Sequence, residues 1–199
     1  GVLSLVRGVN SSGKTLYRSI IVVSPESPIQ NIKNLKGRRF AFGSVSSTQG
    51  HLIPRIVLAE HGLSLVDLDS YEYTGSHLNC ANAVIKGIVD ACGMQDSMAK
   101  RMASEGLVRI LFTSKYYPSS GIAANKDVPS VVLEKVKRAL LDFDPLGRDK
   151  EGLYAWHKTE MPKGFQTALP SDYVELRNWL DRLGLMKRIG TSNIGKKRQ

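Results

Sequence analysis

Only two cysteines, Cys80 and Cys92, occur in 199 residues, too few for a disulfide framework. They read as buried or half-buried free thiols, with a bridge between them the less favoured alternative, and say nothing about redox compartment. No run of about 18 apolar residues exists, so no segment reads as a membrane span. The opening GVLSLVRGVN lacks a basic stretch, a long apolar core and a small-residue cleavage site. No secretory leader is legible there, although a leader removed by processing would leave the same residues. Metal-ligand sets are also missing. His77 and Cys80 lie one helical turn apart, but no third ligand recurs at suitable spacing, so no metal site is expected. Internal repeats and low-complexity tracts are absent, apart from the terminal KKRQ, Lys196 to Gln199, which reads as a solvated tail.

What is present is an ordinary apolar fraction, 42%, enough for a sizeable core in one large domain or two small lobes. The 28 Lys and Arg outnumber the 18 Asp and Glu, giving a formal charge of +10. Nucleic-acid binders cluster such charges among aromatics. Here they are scattered, as in Lys36, Arg38, Lys100, Arg101, Lys135 and Arg138, which favours solubility charge or attraction of a small anion over nucleic acid.

Periodicity predicts alternating strands and helices. The run 15–24 is β-branched and ends at Pro25, a strand. Residues 24–37 form a loop with a helical turn around Ile32 and Leu35; 38–44 is a short buried strand. Apolar Leu52, Ile53, Ile56, Val57 and Leu58 recur at helical spacing and stop at Gly62, with Pro54 tolerated near the start. Further strands are predicted over 68–74, 88–94 and 107–114. Helices alternate with them over 75–87, capped by Ser76, and over 96–106. This alternation predicts a parallel sheet flanked by helices. Beyond it lie a strand or crossover at 116–129 and a helix at 130–143 capped by Ser130. A loop-rich stretch with one short helix spans 144–170, and a last helix opens at Ser171 and closes at Gly184.

Chemistry concentrates in GSVSSTQG, Gly43 to Gly50. A strand ends at Phe42 and a helix begins near Thr48. A helix start offers unpaired N–H groups and the positive end of the dipole. Ser46, Ser47 and Thr48 add hydroxyl donors, and two glycines let backbone approach a ligand. Together these favour a bound oxyanion. Taken alone, the run also fits an ordinary capped helix. No Lys follows Gly50, which excludes a Walker loop, and the G-x-S-x-G spacing of a nucleophile elbow is missing. No cofactor is expected. TGSH, Thr74 to His77, repeats the device: strand, glycine turn, helix start. A histidine there has its charged form disfavoured by the dipole unless an anion lies beside it, and when neutral it can still donate one hydrogen bond to a phosphoryl oxygen; taken alone, it also fits a surface histidine in a first turn. Ser47, His77 and Asp96 match a hydrolase triad by residue type, but no activating motif surrounds them.

The order YRSIIVV, NLKGRRFAFG, SSTQGHLIPR, YTGSH, GIVDACGM resembles the phosphonate-binding family of ABC-transporter solute-binding proteins, with the similarity continuing to WLDRLGL. The resemblance implies a type II periplasmic-binding fold, α/β, with two lobes, mixed mainly parallel sheets, and a first lobe that is incomplete here. Members carry roughly another lobe's worth of residues before the strand at Tyr17. The implied division is 1–24, hinge strand and remnant of lobe 1; 25–115, lobe 2; and 116–199, crossover and C-terminal part of lobe 1. By resemblance, Ser47 and Thr48 match the hydroxyl pair that grips the phosphonate, with Ser46 beside them. His77 matches the phosphonate-facing histidine, Tyr17 a cleft tyrosine, and Asp96 an acid that recognises a substrate amine. Gln49 replaces a usual small Ser. Ser120 stands where aminophosphonate binders carry a second acid, which leaves phosphate, phosphite and simple alkylphosphonates equally open. The implied role is non-enzymatic and periplasmic or extracytoplasmic, with a permease as partner. The competing readings are an input domain attached to a signalling module and a phosphoester hydrolase. An incomplete lobe would expose apolar surface, so a homodimer or a missing partner segment is expected.

Overall fold

The computed structural model describes residues 2–186; the KKRQ tail lies outside the described residues. Its larger part is a five-stranded sheet. In sheet order the strands are β5 (Ser70–Tyr73), β4 (Arg39–Phe42), β6 (Ala91–Gln95), β3 (Ser19–Val23) and β7 (Arg109–Thr113). β4 runs parallel to β5 and β6, whereas β3 is antiparallel to both β6 and β7. The sheet is therefore mixed, as the resemblance implies, and not all parallel as the strand–helix alternation alone predicts. β3 enters from residues 9–18 instead of following a helix of this lobe, so it is free to run the other way.

All five residues of β3 are buried, and the period-2 alternation explains why. Ile21 and Val23 point to one cluster with Phe40, Phe42 and the apolar face of α1 (Ile53–Glu60). Ile20 and Val22 point to the other, with Ala41 and residues of α2 (His77–Ile85) and α3 (Asp96–Ser104). Each such side chain contributes about 1.5–3 kcal/mol by leaving water. Sheets covered on both faces read as continuous apolar runs, which is how IIVV was recognised.

The smaller part is a three-stranded antiparallel sheet, order β10 (Phe165–Thr167), β1 (Val2–Gly8), β9 (Gly121–Asn125). The sequence predicts neither β1 nor β10: Val2–Gly8 falls in the implied remnant of lobe 1, and Phe165–Thr167 is three residues in a loop-rich stretch. Helix α4 (Ser130–Leu141) lies on this sheet, and its cap is Pro129 instead of Ser130, with no side-chain hydrogen bond. The predicted strand 15–24 is broken at Arg18 into β2 (Leu16–Tyr17) and β3. β2 pairs with β8 (Tyr117–Pro118), and this ribbon joins the two parts. The last helix also starts later than expected. Ser171 sits in a 3-10 turn over Pro170–Tyr173, ahead of α5 (Val174–Arg182). Side chains of α5, Leu176 above all, pack on the larger core.

The cysteines are a correction. Cys80 on α2 and Cys92 on β6 form a disulfide, not two free thiols. α2 packs on β6 and brings the two Cα atoms to 5.8 Å, inside bridging range. A 12-residue separation across a helix, a turn and a strand does not reveal that packing. Among the described residues no helix is long and apolar enough to cross a membrane, and no group of three or more His, Cys, Asp or Glu side chains could hold a metal ion.

Candidate functional site

Pro54 shapes the first of the two candidate turns. Having no N–H, it cannot bond back to the preceding turn, and the helix opens with a π turn over Thr48–Leu52. The two carbonyls this affects find outside donors. Gly43 N–H donates to the Gly50 carbonyl at 2.8 Å, and the Ser19 hydroxyl donates to the Gln49 carbonyl at 2.6 Å. The turn is thereby tied to the ends of β4 and β3. At its head, the Ser47 hydroxyl accepts the Gly50 N–H at 2.9 Å, as an N-cap. That uses a lone pair of Ser47 and leaves its proton to donate. The N–H groups of Thr48 and Gln49 fall in the first turn, where no intrahelical acceptor exists. Ser46 is exposed, its hydroxyl 3.4 Å from that of Ser44.

The second turn is laced to the first. Thr74 N–H donates to the Phe42 carbonyl at 3.0 Å and Gly75 N–H to the Gly43 carbonyl at 3.2 Å. Ser76 caps α2 as expected, accepting the Asn79 N–H at 3.1 Å. This lacing lays the His77 ring against Gly50 and Gly43. A Cβ on Gly50 would stand 2.8 Å from His77 Cε1, and one on Gly43 3.6 Å from Nδ1. The two glycines were expected to make room for a ligand; the room they make is filled by His77. Its Nδ1 is buried with no hydrogen-bond partner. Burial lowers the His77 pKa from 6.5, and the charge of Glu160 opposes this only in part.

Tyr17 and Asp96 line a cleft of about 420 Å³ between the two parts, together with Gln49, Lys100, Ser119 and Glu160. Burial pushes the Tyr17 phenol up to about 12, against the opposing effect of the neighbouring Thr48 and Ser120 hydroxyls. Asp96, in the first turn of α3, pairs with Lys100 at 3.6 Å and Arg18 at 3.9 Å. Gln49 is buried and donates through Nε2 to the Arg18 carbonyl at 2.8 Å, so it closes the cleft floor instead of lining an open rim.

The six expected residues do not share one cavity. Ser46, Ser47 and Thr48 line an adjoining hollow of about 270 Å³, whose far wall includes Leu180 of α5. Thr48 joins the two through its contact with Tyr17. Sequence reasoning missed Glu160, which accepts the Ser120 hydroxyl proton at 2.9 Å. It is reached through Ala155, the only non-glycine residue at positive φ among those described, and a 3-10 turn over Trp156–Lys158. No local motif marks it. Only the apposition of the two parts puts it opposite Tyr17.

Comparison with known proteins adds a family. A family model described as ABC transporter, phosphonate, periplasmic substrate-binding protein matches residues 1–173. The phosphonates-binding periplasmic protein of Escherichia coli (strain K12) is 24% identical over 151 residues, 71% of this chain. The chain spans 45% of that relative's length. PhnD1 from Prochlorococcus marinus (MIT 9301), solved with methylphosphonate, superposes at a TM-score of 0.74 with 19% identity, covering 93% of this chain and 72% of that one. A binding-protein component of an ABC phosphonate transporter from Pseudomonas aeruginosa gives 0.66 with 22% identity, covering 89% and 61%. At such identities the structural likeness carries the fold, that of the two-lobed type II periplasmic binding proteins.

Proposed function

The chain belongs to the phosphonate-binding family of periplasmic ABC-transporter substrate-binding proteins, and from that premise we propose that it binds a small phosphonate- or phosphate-like oxyanion as the solute-binding component of an importer. The observation that carries this reading is the pair of helix starts laced together at Gly43, Gly50 and Gly75, with His77 laid across them. Ligand oxygens dock against the Thr48 and Gln49 N–H groups and the Ser47, Thr48 and His77 side chains. The organic end then extends past Tyr17 toward Asp96. We take residues 25–115 as the lobe that holds the oxyanion, and residues 1–24 and 116–199 as the material that closes over it.

The geometry supports binding without turnover. Asp96 is paired with Lys100 and Arg18 instead of orienting His77, whose buried Nδ1 has no hydrogen-bond partner. A hydrolytic triad needs the opposite: a serine held by the histidine and a histidine held by the acid. Calorimetry against phosphate, phosphite, methylphosphonate and 2-aminoethylphosphonate tests the assignment, and no heat with any of the four overturns it. Thr48→Ala removes one charge-assisted hydrogen bond and should weaken the best ligand by about 1.5–3 kcal/mol.

A further inference from the structure

His51 sits in the same π turn as Thr48 and Gln49 and is only 3% exposed. Both of its ring nitrogens are engaged. Nδ1 lies 2.7 Å from the Val45 carbonyl, and Nε2 lies 2.9 Å from the Tyr73 hydroxyl. A carbonyl only accepts, so a neutral ring carries its proton on Nδ1, and Nε2 then accepts the Tyr73 proton. Burial lowers the His51 pKa from 6.5, in keeping with a neutral ring. The ring also packs edge-on to Tyr73 and Phe42, at centroid distances of 4.9 and 5.3 Å.

The Nδ1 bond holds the loop between β4 and the π turn. Val45 exposes 65% of its surface, so its side chain is a poor anchor for residues 44–46. Ser47 N–H donates to the Ser44 carbonyl at 3.0 Å, and the Ser44 and Ser46 hydroxyls lie 3.4 Å apart, but these contacts stay inside the loop. Among the described residues, the bond from His51 is the one that ties residues 44–46 to anything beyond Ser47. That loop leads into Ser46, Ser47 and the Thr48 N–H. Tyr73 ends β5, just ahead of the second turn at Thr74. Tyr73, His51 and the Val45 carbonyl therefore form a tie between the two helix starts, alongside the backbone bonds at Gly43 and Gly75.

We propose that His51, oriented by Tyr73, is a positioning residue of the oxyanion site: its Nδ1–H fixes the Val45 carbonyl, and with it the direction in which Ser46, Ser47 and the Thr48 N–H face the ligand. This rests on the oxyanion reading above. With both nitrogens engaged, His51 acts through the loop and not on the ligand. A loop left free would have to be ordered by the ligand itself, which lowers affinity.

Calorimetric titration of the wild type and two variants with phosphate, phosphite, methylphosphonate and 2-aminoethylphosphonate tests this. His51→Phe keeps a ring against Phe42 and Tyr73 but has no donor. His51→Asn loses the ring but can place an amide N–H where Nδ1 stands. The probe that the wild type binds best should bind His51→Phe at least about tenfold more weakly, and His51→Asn within about threefold of the wild type. Thermal melts should rank the variants the other way, with His51→Asn the less stable because it leaves a cavity. His51→Asn binding no better than His51→Phe, or His51→Phe binding as well as the wild type, overturns the proposal and leaves the oxyanion reading standing. Ring-nitrogen NMR of the wild type depends on no variant. A proton on Nδ1 alone is expected at neutral pH, and a neutral ring protonated on Nε2 overturns the proposal. A wild type that binds none of the four probes overturns both readings.

Discussion

The two sheets of this molecule are covered to very different extents. In the larger, β3 is buried along its whole length, and Phe40, Ala41 and Phe42 of β4 are fully inaccessible. In the smaller, β1 buries three of seven residues, α4 buries none completely, and Val131, Val132 and Val136 of α4 remain exposed. The same chemistry divides along this line. The backbone N–H groups, Ser47, Thr48 and His77 stand on the densely packed sheet, whereas Ser120 and Glu160 come from the sparse one. An oxyanion held by backbone dipoles needs donors fixed to within a fraction of an ångström, and only a close-packed scaffold fixes them. Groups that close over the ligand have no such requirement, and a thinly packed part can supply them.

Paired core deletions press this contrast hardest. Phe42→Ala, at a fully buried site, should cost about 3–5 kcal/mol, which for a chain of this size lowers Tm by about 10 °C or more. Phe165→Ala, in a core of three buried residues, should cost visibly less. Equal shifts in thermal melts would mean that the two parts unfold as one unit and that the contrast in packing has no energetic content. Cys80→Ser with Cys92→Ser should remove about 3 kcal/mol, from the entropy of a loop of about a dozen residues. Native-state hydrogen exchange should place that loss in α2 and β6, with β1 and β9 unchanged.

Gly50→Ala sharpens the comparison at the site itself. The added methyl meets the His77 ring at 2.8 Å, so the ring must leave or the turn must shift. The expected cost is about 1–3 kcal/mol of stability, and calorimetry should show loss of oxyanion binding, while Gly106→Ala, remote from the cleft, should leave binding intact. The smallest effect is pH dependence. Burial favours neutral His51 and His77 in the fold, lowering both from 6.5. The unfolded chain therefore takes up protons first as pH falls below that value, so the stability these two contribute is complete above it and declines beneath it. Denaturant titrations at successive pH values should show the decline, and His77→Gln should reduce it.

Much of the larger sheet was legible because its signals are local. IIVV, RFAF and the cap at Ser76 declare themselves within a few residues. β10 was not legible, because three residues paired with a strand more than 150 positions away carry no periodicity of their own. The disulfide failed for a related reason: 12 residues apart in sequence says nothing about which face of α2 meets β6. At the site, the hydroxyl-rich turns were found as motifs. The role of their glycines was not, since what fills the space beside Gly50 is a ring from the other turn.

By itself the sequence determined the two helix starts and the alternation of strands and helices around them, because N-caps, glycine turns and apolar alternation act over a handful of residues. Only the tertiary structure decided that His77 lies across Gly43 and Gly50, that Cys80 reaches Cys92, and that Ser120 donates to Glu160. Those contacts join residues 12 to 40 positions apart, and the packing of one layer on another, not any local preference, sets which of them meet.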